Sequence, residues 1–195
     1  MTDVIVPVQR VQQENLSFCG PATAQMVLAA LAVPKPPVPP SWQMQLWAYI
    51  MQNTGANRPL DAPDDEHAFN GQKCELCGGE WNCWTTTPGV LVGLLNQQPI
   101  GFYAIAKHSS EESATGALLD TIDQQLPAVA LVYGWMHWLV VDGYRHSRPN
   151  AEPVADRQLN GVYIRNPEKG RTGHYVRWAK WQTSYLWFIA CAITS

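Results

Sequence analysis

Charge is scarce in this 195-residue chain: only 15% of its residues are Asp, Glu, Lys or Arg, against roughly 25% in ordinary soluble domains. The 13 basic and 16 acidic residues leave a net charge of −3. There is thus no basic excess to draw the chain onto nucleic acid or an anionic membrane. Long apolar runs are missing too. Ala29–Val33 and Leu186–Ile193 fall far short of the roughly 18 residues that cross a bilayer. The start, Met1-Thr2-Asp3-Val4-Ile5-Val6-Pro7, has neither the basic residues nor the apolar stretch of a cleaved signal peptide. The expected location is cytoplasmic, or outside by an export route that needs no cleaved signal. Nor is the cysteine count even. Five cysteines cannot all pair within one chain, so at least one has another purpose.

What is present points to a packed core. Apolar residues make up 46% of the chain, which excludes the disordered class. The length fits one domain over 1–195. Nine tryptophans suit a deep core or an aromatic-lined groove for peptide or sugar. Alternation at Val4, Val6 and Val8 predicts an edge strand within 4–12. Helix formers then run from Cys19 to Leu31, with Pro21 near the start, where its missing N–H does no harm. Pro34-Lys35-Pro36-Pro37-Val38-Pro39-Pro40 stops that helix and forms an extended linker at 34–40.

Ser41 reads as the cap of a second helix, Trp42 to about Gln52, with Leu46, Trp47 and Ile50 as its apolar positions. Residues at about 53–84 turn to Asn, Gly, Pro, acidic residues and three cysteines, and read as a loop-like insertion. Thr87-Pro88 opens a third helix over 88–96, and Ser110 to Gln125 predicts a fourth. Strands are expected at 101–106, 128–133, 137–144 and 162–165, with Tyr185 to Thr194 closing the sheet. Helices followed by an antiparallel sheet give the α+β class.

One constellation carries chemistry. Cys19 sits where coil becomes helix, and there the unpaired N–H groups and the positive end of the helix dipole favour a thiolate. A lone cysteine at such a place is ordinarily packing, so the company it keeps decides its reading. Gln13, six positions earlier, has an amide able to donate to an oxyanion beside the Cys19 N–H. Its neighbours Gln9 and Gln12 compete for that role, and the six-residue spacing selects Gln13. His137 opens an apolar strand that would hold its ring rigidly as the base. Asn166, at the end of a later strand, can accept from the imidazole N–H and fix its tautomer, with Asp142 as the substitute.

Together, Gln13-x5-Cys19-Gly20-Pro21-Ala22, His137-Trp138-Leu139-Val140-Val141-Asp142-Gly143-Tyr144 and Asn166-Pro167-x-x-Gly170 resemble the papain-superfamily cysteine peptidases. They are most similar to the branch related to bacteriocin-processing double-glycine peptidases. The resemblance spans about residues 7–190. It implies a papain-like fold, a helical half carrying Cys19 packed on an antiparallel sheet carrying His137 and Asn166, with an extended peptide in the cleft between them. Asn166 stands where family members often carry Asp. The polyproline linker and the cysteine-bearing insertion depart from the family pattern. No exporter segments accompany the motifs, so the leader-cleaving role attached to an exporter is not carried over.

Peptide-bond hydrolysis through a thioester acyl-enzyme is the first expectation, with no cofactor for catalysis. Deamidation, transglutamination or cell-wall amide cleavage by a delivered toxin would use the same machinery, because substrate and acceptor decide the outcome. A peptide-binding module on the same scaffold, without turnover, is a further alternative. The expected partners are a peptide or protein substrate and an inhibitor or immunity protein, with neither nucleic acid nor membrane among them. Trp138, Gly20 and Trp84 are candidates to wall the cleft. In the insertion, Cys74-x-x-Cys77-x5-Cys83 with His67 fits a structural zinc set. Reduced thiols or an environment-dependent disulfide account for the same residues.

Overall fold

The computed structural model describes residues 1–15, 18–31, 33, 41–53, 86, 88–97, 103–106, 111–132, 137–147, 158–170, 174–184 and 192–194. The 34–40 linker, Trp84 and the candidate zinc ligands His67, Cys74, Cys77 and Cys83 lie outside those residues. Five helices and seven strands are found among the described residues. They are β1 (Thr2–Ile5), α1 (Cys19–Ala30), α2 (Trp42–Asn53), α3 (Pro88–Asn96), β2 (Ala104–Ala106), α4 (Glu111–Asp123) and β3 (Ala128–Val132). After these come β4 (His137–His146), β5 (Leu159–Arg165), β6 (His174–Arg177), α5 (Trp178–Ser184) and β7 (Ala192–Thr194).

The apolar run Trp138–Val141 lies in β4, and every residue from Trp138 to Tyr144 is buried. A strand without the in/out alternation of a half-solvated sheet must be covered on both faces. It is also the spine of the sheet. Its first half pairs antiparallel with β3, from Val132↔His137 to Ala128↔Val141. Its second half pairs along the same ladder system with β1, from Ile5↔Gly143 to Thr2↔His146. A Cβ at Gly143 would stand 2.6 Å from the Val4 carbonyl oxygen, so only glycine lets β1 approach so closely. On the other side β4 pairs with β5, and the full order is β2-β7-β3-β4-β5-β6, every pair antiparallel.

The sequence of α1, CGPATAQMVLAA, is small and apolar nearly all round, and nine of its residues are buried. Such a helix belongs inside. It packs against β4, α2 and α3, while α4 covers β3, β4 and β7 and α5 lies on β5 and β6. Trp138 and Trp181 are fully buried in the core, each burial contributing about 2–3 kcal/mol. Ser41 caps α2 as expected, its hydroxyl 3.3 Å from the Met44 N–H.

Helix boundaries agree with the sequence reading to within two or three residues. The strands differ more. The N-terminal strand is Thr2–Ile5 rather than 4–12, because β4 offers it only four partners before Val6 turns its N–H to the Asp142 carbonyl, 2.7 Å away. β6 and α5 have no counterpart in the sequence reading. They follow one another without a break, and a four-residue strand and a seven-residue helix are too short for periodicity to reveal. Among the described residues no helix is long and apolar enough to cross a membrane.

Candidate active site

Cys19 is the first residue of α1. Its N-cap, Phe18, makes no side-chain capping bond, and the first turn holds no acidic residue. The sulfur therefore meets uncapped backbone donors. The N–H groups of Cys19, of Gly20 and of Trp138, the residue after His137, all act on it. They draw the thiol toward ionisation, but burial acts in the opposite sense and prevails. Cys19 is 3% exposed, and desolvation pushes its thiol above the ordinary value of 9.0. This corrects the thiolate expected from the helix start alone: the dipole and the amides are present, yet an anion in so dry a place is disfavoured.

His137 opens β4, opposite Val132 of β3. Antiparallel pairing places Arg165, the last residue of β5, against Val140, so the chain leaving β5 passes alongside the start of β4. Asn166 is on that chain. Its Oδ1 lies 2.9 Å from His137 Nε2, and the residue is 2% exposed. The same Oδ1 accepts the Glu168 backbone N–H at 2.8 Å. A backbone N–H can only donate, so the atom facing the imidazole is the amide oxygen and not its nitrogen. His137 Nε2 must then carry the hydrogen, and the lone pair falls on Nδ1.

The turn after β5 is tied to the N-terminal segment. Arg10 Nε donates to the Asn166 carbonyl at 2.7 Å, and Arg10 Nη2 to the Glu168 carbonyl at 2.6 Å. The Gln13 N–H donates to the Pro167 carbonyl at 2.9 Å. Gln13 is thereby brought beside the Asn166 turn. Its side-chain Nε2 donates to the Asn15 carbonyl at 2.9 Å. Gln43 of α2, itself buried, accepts the Glu14 N–H at 3.0 Å and donates to the Gln12 carbonyl at 2.8 Å. It grips the backbone on both sides of Gln13.

Three expectations need correction. Trp138 does not wall a cleft: it is 0% exposed, and its indole N–H donates to the Thr86 carbonyl at 2.8 Å. As β4 is buried on both faces, the position next to His137 points into the core. Gly20 faces protein as well. A Cβ there would lie 1.8 Å from Thr86 Oγ1 and 2.4 Å from Thr86 Cβ, so the side-chain space of residue 20 is already taken by Thr86. Asp142 is no substitute orienter. It sits at a register shift of β4, fully buried, with Oδ2 2.5 Å from Arg165 Nε. Burial pushes its carboxyl up and the Arg165 guanidinium draws it down, the former prevailing.

Arg10, Gln43 and Thr86 were not singled out from the sequence. Nothing local marks them, because each acts on backbone or packing brought to it by distant chain.

No protein-family model and no curated protein matches the chain. Two solved structures do. One is the double-glycine motif protease of an AMS/PCAT transporter, in complex with its leader peptide: 12% identity, 98% of this chain and 94% of that chain covered, TM-score 0.55. The other, from Bacillus anthracis, is described as a C39-like peptidase: 16% identity, 100% and 97% coverage, TM-score 0.58. The fold of this α+β chain is accordingly similar to that of these two peptidase structures.

Proposed function

We propose that the chain is a cysteine peptidase that hydrolyses peptide bonds through Cys19, His137 and Asn166. The observation that carries this reading is the His137 Nε2–Asn166 Oδ1 contact of 2.9 Å, with the amide oriented by the Glu168 N–H. The Cys19 thiol in turn receives the very next N–H of β4, that of Trp138. The two structural neighbours, one of them a protease holding a leader peptide, support a peptide as the substrate class.

In the proposed reaction the thiol proton passes from Cys19 Sγ to His137 Nδ1 as the sulfur bonds to the scissile carbonyl carbon. The C=O electron pair moves onto oxygen, where the Cys19 N–H and the Gln13 amide receive it. The oxyanion collapses, the C–N bond breaks, and the leaving amine takes the proton from the imidazolium. His137 then takes a proton from water, whose oxygen attacks the thioester and releases the acid and the Cys19 thiol. Burial raises the Cys19 thiol, so in the proposed reaction its proton passes to His137 during attack.

One observation favours a second reading, a peptide-binding module: the deep burial of Cys19, which opposes nucleophilicity. Alkylation separates the two. With iodoacetamide near neutral pH and the modified residue read by peptide mass spectrometry, Cys19 should react at least about a hundredfold slower in His137→Ala than in the unaltered chain. Incubation with a peptide library should yield new N-termini that Cys19→Ala does not produce. Peptide binding without new termini, and equal alkylation with or without His137, would overturn the peptidase reading.

A further inference from the structure

The residues that follow β5 have no ladder to hold them. The last pairing of that strand is Arg165 with Val140, and Asn166 and Pro167 belong to no regular element. Pro167 also lacks an N–H, which removes one donor from the turn's own repertoire. Yet Asn166 must keep its Oδ1 at hydrogen-bond distance from His137. The turn is held from outside, at all three of its carbonyls: by Arg10 on Asn166 and Glu168, and by the Gln13 N–H on Pro167.

The Arg10 contact is a fork. Two donors of one planar cation meet carbonyl oxygens two residues apart, at 2.7 and 2.6 Å. A charged donor makes a stronger hydrogen bond than a neutral one, and the rigid guanidinium fixes both oxygens at once. Its own segment is anchored at two places. Val6 N–H binds the Asp142 carbonyl of β4, and Gln43 of α2 holds Gln12 and Glu14. Chain 6–14 is thus a strap fixed to the sheet at one end and to the helical half at the other, with Arg10 at its middle bearing on the Asn166 turn.

We propose that Arg10 is a positioning residue of the active site: its guanidinium fork holds the 166–168 turn so that Asn166 keeps its amide oxygen on His137 Nε2. The proposal rests on the Cys19–His137–Asn166 reading and adds to it the residue that acts on the base through Asn166.

The test is the rate and pH profile of Cys19 alkylation by iodoacetamide in the unaltered chain and in Arg10→Ala, Arg10→Lys, Asn166→Ala and the Arg10→Ala/Asn166→Ala pair, with His137→Ala as reference. Arg10→Ala should react about tenfold slower near neutral pH, its profile moving toward that of His137→Ala. Arg10→Lys, which keeps the charge but not the fork, should recover only part of the rate. In the Asn166→Ala background, Arg10→Ala should add nothing, because the group it acts through is gone. A rate and profile unchanged in Arg10→Ala, or losses that multiply in the pair, would overturn the proposal while leaving the base assignment intact. Should Arg10→Ala fail to fold, Arg10→Lys decides it, since full activity without the fork overturns the proposal as well. Equal rates in the unaltered chain and His137→Ala would remove the underlying reading and Arg10 with it.

Discussion

The two corners of the candidate site are held by different forces. The His137 corner is built of hydrogen bonds: Oδ1 of Asn166 bridges the imidazole and the Glu168 N–H, and Arg10 and Gln13 take the three carbonyls of the turn. The Cys19 corner is built of contact. Gly20 lies hard against Thr86, Trp138 is sealed beneath the Thr86 carbonyl, and the Thr86 hydroxyl is buried with no hydrogen-bond partner among the described residues. Hydrogen bonds are directional and fix the aim of a proton acceptor. Close packing fixes a position but leaves the sulfur dry. The imidazole is oriented, and the thiol is confined.

That contrast can be broken from the packing side first. Gly20→Ala places a methyl where Thr86 already stands and should lower stability by about 3 kcal/mol in urea denaturation. Adding Thr86→Gly should recover most of the loss. Unaltered stability in Gly20→Ala would mean that the corner is looser than its geometry. On the other side, Asn166→Ala should slow Cys19 alkylation by about tenfold, with a stability loss of only about 1 kcal/mol, because exposed Glu168 can offer its N–H to water. A large loss of stability with no change in rate would make the Asn166 corner structural.

The smallest effect sharpens the account of confinement. Burial raises the Cys19 thiol above 9.0 in the folded chain, whereas the unfolded chain ionises it normally. Its contribution is therefore complete below that value and is lost as pH rises toward the raised one. The stability difference between the unaltered chain and Cys19→Ala should be constant below pH 9.0 and shift against the unaltered chain above it. A difference that does not vary with pH would show that the thiol is not held dry.

Much of this arrangement was legible in the sequence. Cys19 at a coil-to-helix junction, His137 at the head of an apolar strand and Asn166 before a proline are local facts, and the fold and the His137–Asn166 contact agree with them. The first four helices could be read for the same reason, each being bounded by its own Pro or polar residues. Trp138 was misplaced because a strand buried on both faces has no outward position, and a sequence cannot tell which of its two covers is protein and which is cleft. Arg10 and Gln43 stayed hidden because their partners are backbone carbonyls and an N–H, which every sequence has everywhere. The Asp142–Arg165 pair stayed hidden because its partners lie 23 residues apart and meet only through the pairing of β4 with β5.

The placement of β7 sets the order in which the molecule can be assembled. Residues 192–194 pair with β2 on one side and β3 on the other, so β2, made before α4, waits for the last of the strands before it can join its neighbours. A chain emerging from the ribosome can pair β3 with β4 and β4 with β5, and so bring His137 to Asn166, while one flank of the sheet still lacks its connecting strand. Closing that gap is a long-range event and a slow one. During synthesis the His137–Asn166 corner can thus stand complete before the layer beside it is sealed.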